Sequence, residues 1–197
     1  GHWPTGVVGL GVDRLAKYAR EFGLGAPTGV DLPGEISGLV PDSGWKKETL
    51  GEDWLLGDTY HFGIGQGYLS VTPMQMLVAT AAVANNGYVL KPRVVREAVD
   101  ENGQVVARFG REVRNELPID KKYLADLRDA MRYGVTWAYG TSVPAGIPNV
   151  EVAGKTGTAE FGTTECRAST CPTHGWFAGF APYGDPEIAI LCFVEKG

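Results

Sequence analysis

The segment Val152-Ala153-Gly154-Lys155-Thr156-Gly157-Thr158-Ala159-Glu160 constrains this chain more than any other. Two glycines and two β-branched threonines within five residues make a poor helix start, so the segment reads as an extended strand. Side chains on a strand alternate faces. Lys155 and Gly157 then share one face, Thr156 and Thr158 the other. A glycine beside a cation leaves backbone open at an edge where an extended peptide can add as a further strand. Lys155 supplies positive potential, Thr156 a hydroxyl for a carboxylate, and the Thr158 amide a donor for a developing oxyanion.

Gly154-Lys155-Thr156 also spells the end of a phosphate-binding loop. That loop needs a glycine five residues before the Gly-Lys pair and a helix directly after it. Asn149 stands at the required position, and the residues after Lys155 favour a strand. Nucleotide binding is therefore the minor reading.

The rest of the chain predicts an α+β arrangement. Val12, Leu15, Ala16, Ala19 and Phe22 recur at helical spacing and Gly23 ends the run. Residues 23–58, with Pro and Gly at short intervals, read as one long irregular connection. The best helix spans 71–86, where Thr72 caps, Pro73 takes the first position and Gly87 stops it. Residues 94–99 and 105–108 flank Asp100-Glu101-Asn102-Gly103 as a hairpin. Tyr123, Leu124, Leu127, Ala130 and Met131 mark an amphipathic helix over 120–133. Strands are predicted over 150–160, 174–182 and 187–195, the last two joined by Gly184-Asp185-Pro186. Ile188–Val194 is apolar on both faces, which predicts a central, covered strand, and Cys192 within it reads as a buried small hydrophobe. Helices and loops come first and a three-stranded antiparallel meander follows. A net charge of −5 argues against a nucleic-acid surface, and no stretch reaches the ~20 apolar residues of a membrane span.

Several further segments stand in a recognisable order: Gly63-Ile64-Gly65-Gln66-Gly67-Tyr68-Leu69-Ser70-Val71-Thr72-Pro73-Met74-Gln75-Met76, Ala84-Asn85-Asn86-Gly87-Tyr88, Lys91-Pro92, Gly140-Thr141, the Lys155 segment and Trp176-Phe177-Ala178-Gly179-Phe180-Ala181-Pro182. Together they resemble the second half of a penicillin-binding protein transpeptidase domain. The Gly-Ile-Gly-Gln-Gly form is most similar to class B enzymes of the cell-elongation type.

The resemblance implies a partial β-lactamase/transpeptidase-like fold: a three-stranded meander, of a five-stranded sheet, with a helical subdomain. Residues 1–149 would be mainly helix and loop with the 94–108 hairpin, and 150–197 the sheet strands. It implies a serine-type D,D-transpeptidase that cross-links peptidoglycan stem peptides ending in D-Ala-D-Ala, forms an acyl-enzyme and takes β-lactams at the same serine. A non-catalytic penicillin-binding or sensor module of the same fold is the alternative. The implied substrate residues are Lys155, Thr156, Gly157 and Thr158, with Trp176 as a groove wall or, equally, a core packer. No cofactor or metal is implied. Partners would be elongation-machinery proteins, and the location the outer side of the bacterial cell membrane, anchored by an upstream segment.

Of the family's Ser-x-x-Lys, Ser-x-Asn and Lys-Thr-Gly motifs, only the third is convincing. Ser43-Gly44-Trp45-Lys46 matches the first by letters, but Ser43 reads as a loop residue with no catalytic role, and no Ser-x-Asn occurs. The expectation is a C-terminal portion of the domain without its nucleophile, inactive alone, whose bared sheet face could support self-association. His61, His174, Gln66 and Tyr68 are expected to be structural. Cys166 and Cys171 could form a local disulfide, as the implied compartment permits, remain free thiols, or join His174 at a metal.

Overall fold

The computed structural model describes residues 9–161 and 171–196. The first part is helical: α1 (Gly11–Glu21), α2 (Ser43–Leu50), α3 (Leu56–Gly63) and α4 (Pro73–Ala84). There follow the short strands β1 (Tyr88–Leu90), β2 (Glu97–Val99), β3 (Val105–Arg108) and β4 (Val113–Glu116), then α5 (Lys121–Thr136). The chain finishes with β5 (Ala153–Glu160), β6 (Thr173–Ala181) and β7 (Ile188–Val194), an antiparallel meander in the order β5-β6-β7.

Helix α4 forms where the capping residues demand it. The Thr72 hydroxyl accepts from Gln75 N–H, and the Gln75 side chain accepts from Thr72 N–H, with Pro73 at the first position. Gln75 is also buried, and its amide donates to the carbonyls of Ala26 and Ser37, both at 2.7 Å. One side chain thus closes the helix start and pins the preceding loop.

That preceding stretch, 23–58, is not one irregular connection. Asp42 caps α2 by accepting from Trp45 N–H, and Gly51, at φ 72°, ends it. Asp58 accepts from Leu55 N–H at the start of α3. Both helices are 8 residues long, and α2 carries only Trp45 and Leu50 as large apolar residues, too few to set a helical period. Ser43 is accordingly the first residue of α2 rather than a loop residue. The hairpin β2–β3 lies where the turn signal put it, with Asp100 accepting from Asn102 and Gln104 N–H. Its expected first residues, Val94 and Val95, instead donate their N–H groups to the Asp31 carboxylate. The pairing of β1 with β4 was not foreseen.

The sheet packs on α4 and α5. Val83 and Ala84 of α4 meet Ala153 of β5 and Phe180 of β6, with Met131, Tyr183 and Ala189 around them. A second cluster joins Val78 and Ala82 of the same helix to Val89, Leu117 and Leu124. The central strand is β6, and β7 is an edge among the described residues, contrary to the covered strand read from its composition. Ala189 turns toward α4, while Ile188, Ile190 and Val194 on the opposite face are 66, 49 and 55% exposed. Cys192 shares that open face and is exposed, not buried.

On this face the Phe177 ring lies across two glycines. A Cβ at Gly154 would meet the ring at 2.5 Å, and one at Gly179 at 2.9 Å. Gly154→Ala is therefore expected to cost about 1–3 kcal/mol through overpacking, read as a lower urea midpoint at unchanged slope. Adding Phe177→Leu should recover part of the loss.

Candidate active site

The Lys155 segment forms β5, and its register with β6 runs from Ala153↔Phe180 to Glu160↔Thr173. In an antiparallel strand, successive residues direct their backbone groups to opposite sides. Thr156 N–H donates to Ser142 Oγ at 3.2 Å, away from β6, and Thr158 C=O accepts from Gln66 Nε2 at 3.2 Å on the same side. Thr156 and Thr158 therefore present their main-chain groups at the free edge, while Lys155 and Gly157 pair inward. Lys155 and Gly157 share a face, as expected, and Trp176 of β6 lies on it opposite Gly157.

The free edge of β5 meets α5 and the loop after it. Gly134 has no side chain, so α5 approaches β5 closely: a Cβ there would lie 2.9 Å from Gly154 O. The loop then folds back over the helix end, with Ser142 N–H donating to Gly134 C=O at 2.9 Å. Gly140 has no room for a Cβ, which would fall 2.2 Å from Gly134 O. This brings Thr141 Oγ1 within 2.9 Å of Thr156 Oγ1 and buries Ser142 beside the Thr156 amide.

Lys155 is exposed and its ammonium donates to Thr156 C=O at 2.6 Å. Thr156 Oγ1, Lys155 Nζ and the Thr158 N–H, which has no hydrogen bond among the described residues, thus stand along one strand edge, a suitable set for a carboxylate and an adjacent oxyanion. Trp176 lies half-buried beside the strand. It borders Gly157, where a Cβ would meet its Cβ at 3.3 Å, and its ring packs edge-on against Phe193 at 4.6 Å. Since Lys155 lies inside a strand rather than ahead of a helix, the phosphate-loop reading fails.

The other candidates lie elsewhere. His174 stacks on Phe161 at 4.0 Å, and Tyr68 packs against Trp45 at 5.2 Å. Cys171 is disulfide-bonded, while Cys166 lies outside the described residues. Ser43 opens a helix three residues before Lys46, the arrangement a Ser-x-x-Lys pair would need. Yet Lys46 Nζ is buried against Asp58 at 2.8 Å and Glu52 at 3.4 Å. The bond to Asp58 holds the lysine above its ordinary pKa, so it stays an ammonium and is a poor proton acceptor for Ser43.

Residues 9–197 match the penicillin binding protein transpeptidase domain. The chain belongs to this family. It is 35% identical over 196 residues to peptidoglycan D,D-transpeptidase MrdA of Acinetobacter baumannii, covering 95% of this chain and 29% of the relative. Against MrdA of Escherichia coli K12 it is 33% identical over 205 residues, covering 95% and 31%. Among solved structures it resembles PBP2 of Helicobacter pylori in complex with MreC, at TM-score 0.76 and 33% identity over 95% of this chain and 32% of that one. PBP2 of Pseudomonas aeruginosa in complex with WCK 5153 matches at TM-score 0.76 and 32% identity, covering 95% and 40%. The chain thus spans about a third of the length of these relatives, all of the elongation-type branch of the family. The structural neighbours share the β-lactamase-like transpeptidase fold that the resemblance implied.

Sequence reasoning found the strand and missed its supports. Ser142 and Thr141 gave no sign beyond Gly140-Thr141 standing in family order. Gln66 did carry a signal in its flanking glycines, at φ 77° and 75°, which form a tight turn that aims it.

Two outcomes test this geometry. Ser142→Ala removes the acceptor of a shielded N–H, and amide exchange at Thr156 is expected to accelerate roughly fivefold, in keeping with ~1 kcal/mol for a hydrogen bond. The Lys46–Asp58 pair should show in the pH dependence of stability. Asp58 is held below its ordinary pKa by donation from Lys46 and from Leu55 N–H, so its contribution is present above the unfolded value near ~3.9 and lost as pH falls through the lower folded one. Lys46 is raised, so its contribution is present below ~10.4 and lost as pH rises through the folded value. The Tm gap between wild type and Asp58→Asn should be widest between those limits and narrow on either side.

Proposed function

We propose that this chain supplies the carboxylate- and oxyanion-binding part of a serine-type D,D-transpeptidase that cross-links peptidoglycan stem peptides. The observation that carries the reading is the free edge of β5. It presents an exposed ammonium, a threonine hydroxyl and an unfilled amide within four residues of a strand that a peptide can extend.

In this reading the terminal carboxylate of a D-Ala-D-Ala stem draws Lys155 Nζ away from Thr156 C=O and also meets Thr156 Oγ1. The penultimate carbonyl then lies beside Thr158 N–H. Gly157 leaves room for the peptide to approach and Trp176 walls one side. A serine Oγ attacks that carbonyl, forming an ester. The C–N bond breaks, D-Ala leaves with the serine's proton, and an amine of a neighbouring stem later takes the acyl group and returns a proton to the serine. The charge on the tetrahedral oxygen is stabilised by Thr158 N–H. β-Lactams would acylate the same serine. No serine of this chain is given that role, and the chain alone is proposed to be inactive.

The likeness to MrdA and PBP2 proteins supports a place in wall elongation, with MreC-like partners, on the outer side of the cytoplasmic membrane. Anchoring would be by a segment other than those described, since no described helix is long and apolar enough to cross a membrane. The open face of β7 would serve self-association. The pairing of Cys166 with Cys171 remains part of the proposal.

The chain is expected to bind an N-acyl peptide ending in D-Ala-D-Ala. Lys155→Gln should weaken that binding about 10- to 100-fold, as loss of a hydrogen bond to a charged group implies, and C-terminal amidation of the peptide should weaken it similarly. Labelled penicillin should leave the chain unmodified. Stoichiometric labelling at Ser43, or equal binding of the acid and amide peptides, would overturn the assignment.

A further inference from the structure

The free edge of β5 offers four main-chain groups across the site, the N–H and C=O of Thr156 and of Thr158. Three are filled by side chains of the chain itself. Ser142 Oγ takes Thr156 N–H, Lys155 Nζ donates to Thr156 C=O, and Gln66 Nε2 donates to Thr158 C=O. Thr158 N–H has no hydrogen bond among the described residues. The edge is thus blunted by three side chains standing where a neighbouring strand would be, which is one way a protein manages an open edge.

The three caps differ in permanence. Ser142 is 1% exposed and anchored through its own N–H to Gly134 C=O, so its bond is part of the fold. The Gln66 bond is as long as the Ser142 bond, 3.2 Å, but it is exposed to solvent and spans 92 residues of sequence. The backbone under it is fixed independently. Gln66 N–H donates to His61 C=O at 2.8 Å, Gly65 N–H donates to Phe62 C=O at 3.0 Å, and Phe62 is buried in the core beneath α3. The side chain can therefore leave without the loop moving.

Strand addition makes a specific demand at Thr158. In the hydrogen-bonded register of an antiparallel pair, two opposed residues exchange both bonds. A ligand residue whose C=O accepts from Thr158 N–H brings its own N–H to Thr158 C=O, the place Gln66 Nε2 occupies. We infer that Gln66 is a displaceable stand-in for the ligand's backbone N–H, a specificity-determining residue that an incoming peptide must dislodge. This deepens the proposed function and rests on it, since the N–H in question is that of the penultimate residue of an acyl-D-Ala-D-Ala peptide. One consequence is specificity. A ligand that has the N–H exchanges one hydrogen bond for another, whereas a ligand with an ester oxygen there leaves Gln66 in place and gains nothing at this carbonyl.

The test is binding to this chain, without turnover, of an N-acyl peptide ending in D-Ala-D-Ala and of its depsipeptide, in which the penultimate N–H is an ester oxygen. Gln66→Ala and the near-isosteric, donor-free Gln66→Met remove the competitor. Both are expected to tighten the amide peptide roughly two- to tenfold, the worth of one net hydrogen bond, and to leave the depsipeptide unchanged or weaker. In the wild-type chain, the Gln66 side-chain NH2 signals should shift on adding the amide peptide and stay put with the depsipeptide. If both variants bind both ligands equally more weakly, Gln66 merely positions β5 and the inference fails. If both variants bind both ligands as wild type does, the carbonyl accommodates ligand and Gln66 together and the inference also fails. If neither ligand binds any form of the chain, the functional reading itself has failed, and this inference with it.

Discussion

The near-contact of two backbones, α5 against β5, sets the rest of the site. Gly134 carries no side chain, so the helix comes close to the main chain of the strand at Gly154. The loop leaving α5 must then turn at once, and Gly140 makes the reversal sterically possible. Ser142 is delivered to the strand edge as a buried acceptor. From that contact follow the orientation of Thr156, the outward direction of Thr158 and the open amide between the two sides of the groove. A larger residue at Gly134 would push the helix from the strand and draw Ser142 away from Thr156 N–H, leaving that group without its partner.

Two lysines show how environment separates chemical roles. Lys46 sits in a helix that the Ser-x-x-Lys letters pick out, yet Asp58 and Glu52 close on its ammonium and its charge is spent inside the protein. Lys155 is exposed, and among the described residues its ammonium donates to the carbonyl of the next residue. Exchanging such a bond for one to a carboxylate costs little, because both states keep the ammonium solvated or paired. The lysine available to a ligand is the one with the weakest commitment to the fold.

Much of this arrangement was legible in the sequence. Thr72, Pro73 and Gly87 announced α4, the Asp100–Gly103 turn announced its hairpin, and the glycines and threonines of 154–158 announced a strand. What was not legible depended on neighbours distant in sequence. The short helices α2 and α3 draw their order from Asp42 and Asp58 rather than from a hydrophobic period. The apolar run of β7 looked covered because composition records what a side chain prefers, not what stands opposite it. Strand β4 has charged and polar residues at Arg114, Asn115 and Glu116 and pairs only because β1 is presented to it. For the site, the strand motif was readable, but Ser142 and Gln66 belong to it only through folding. Their sequence separations from β5, 14 and 92 residues, carry no periodic signal.

Helix α4 has a consequence of its own. Its residues enter both apolar clusters, Val78 and Ala82 in one and Val83 and Ala84 in the other, and Phe22 of the α1 terminus touches both. The layer bearing β1 and the layer bearing β5 and β6 therefore share α4 as a structural member, as they share α5 through Leu124 and Met131. Melting either would strip one side of that member, so the two layers have no means of coming apart in turn. Strand β5 is thus braced by packing on the far side of the molecule.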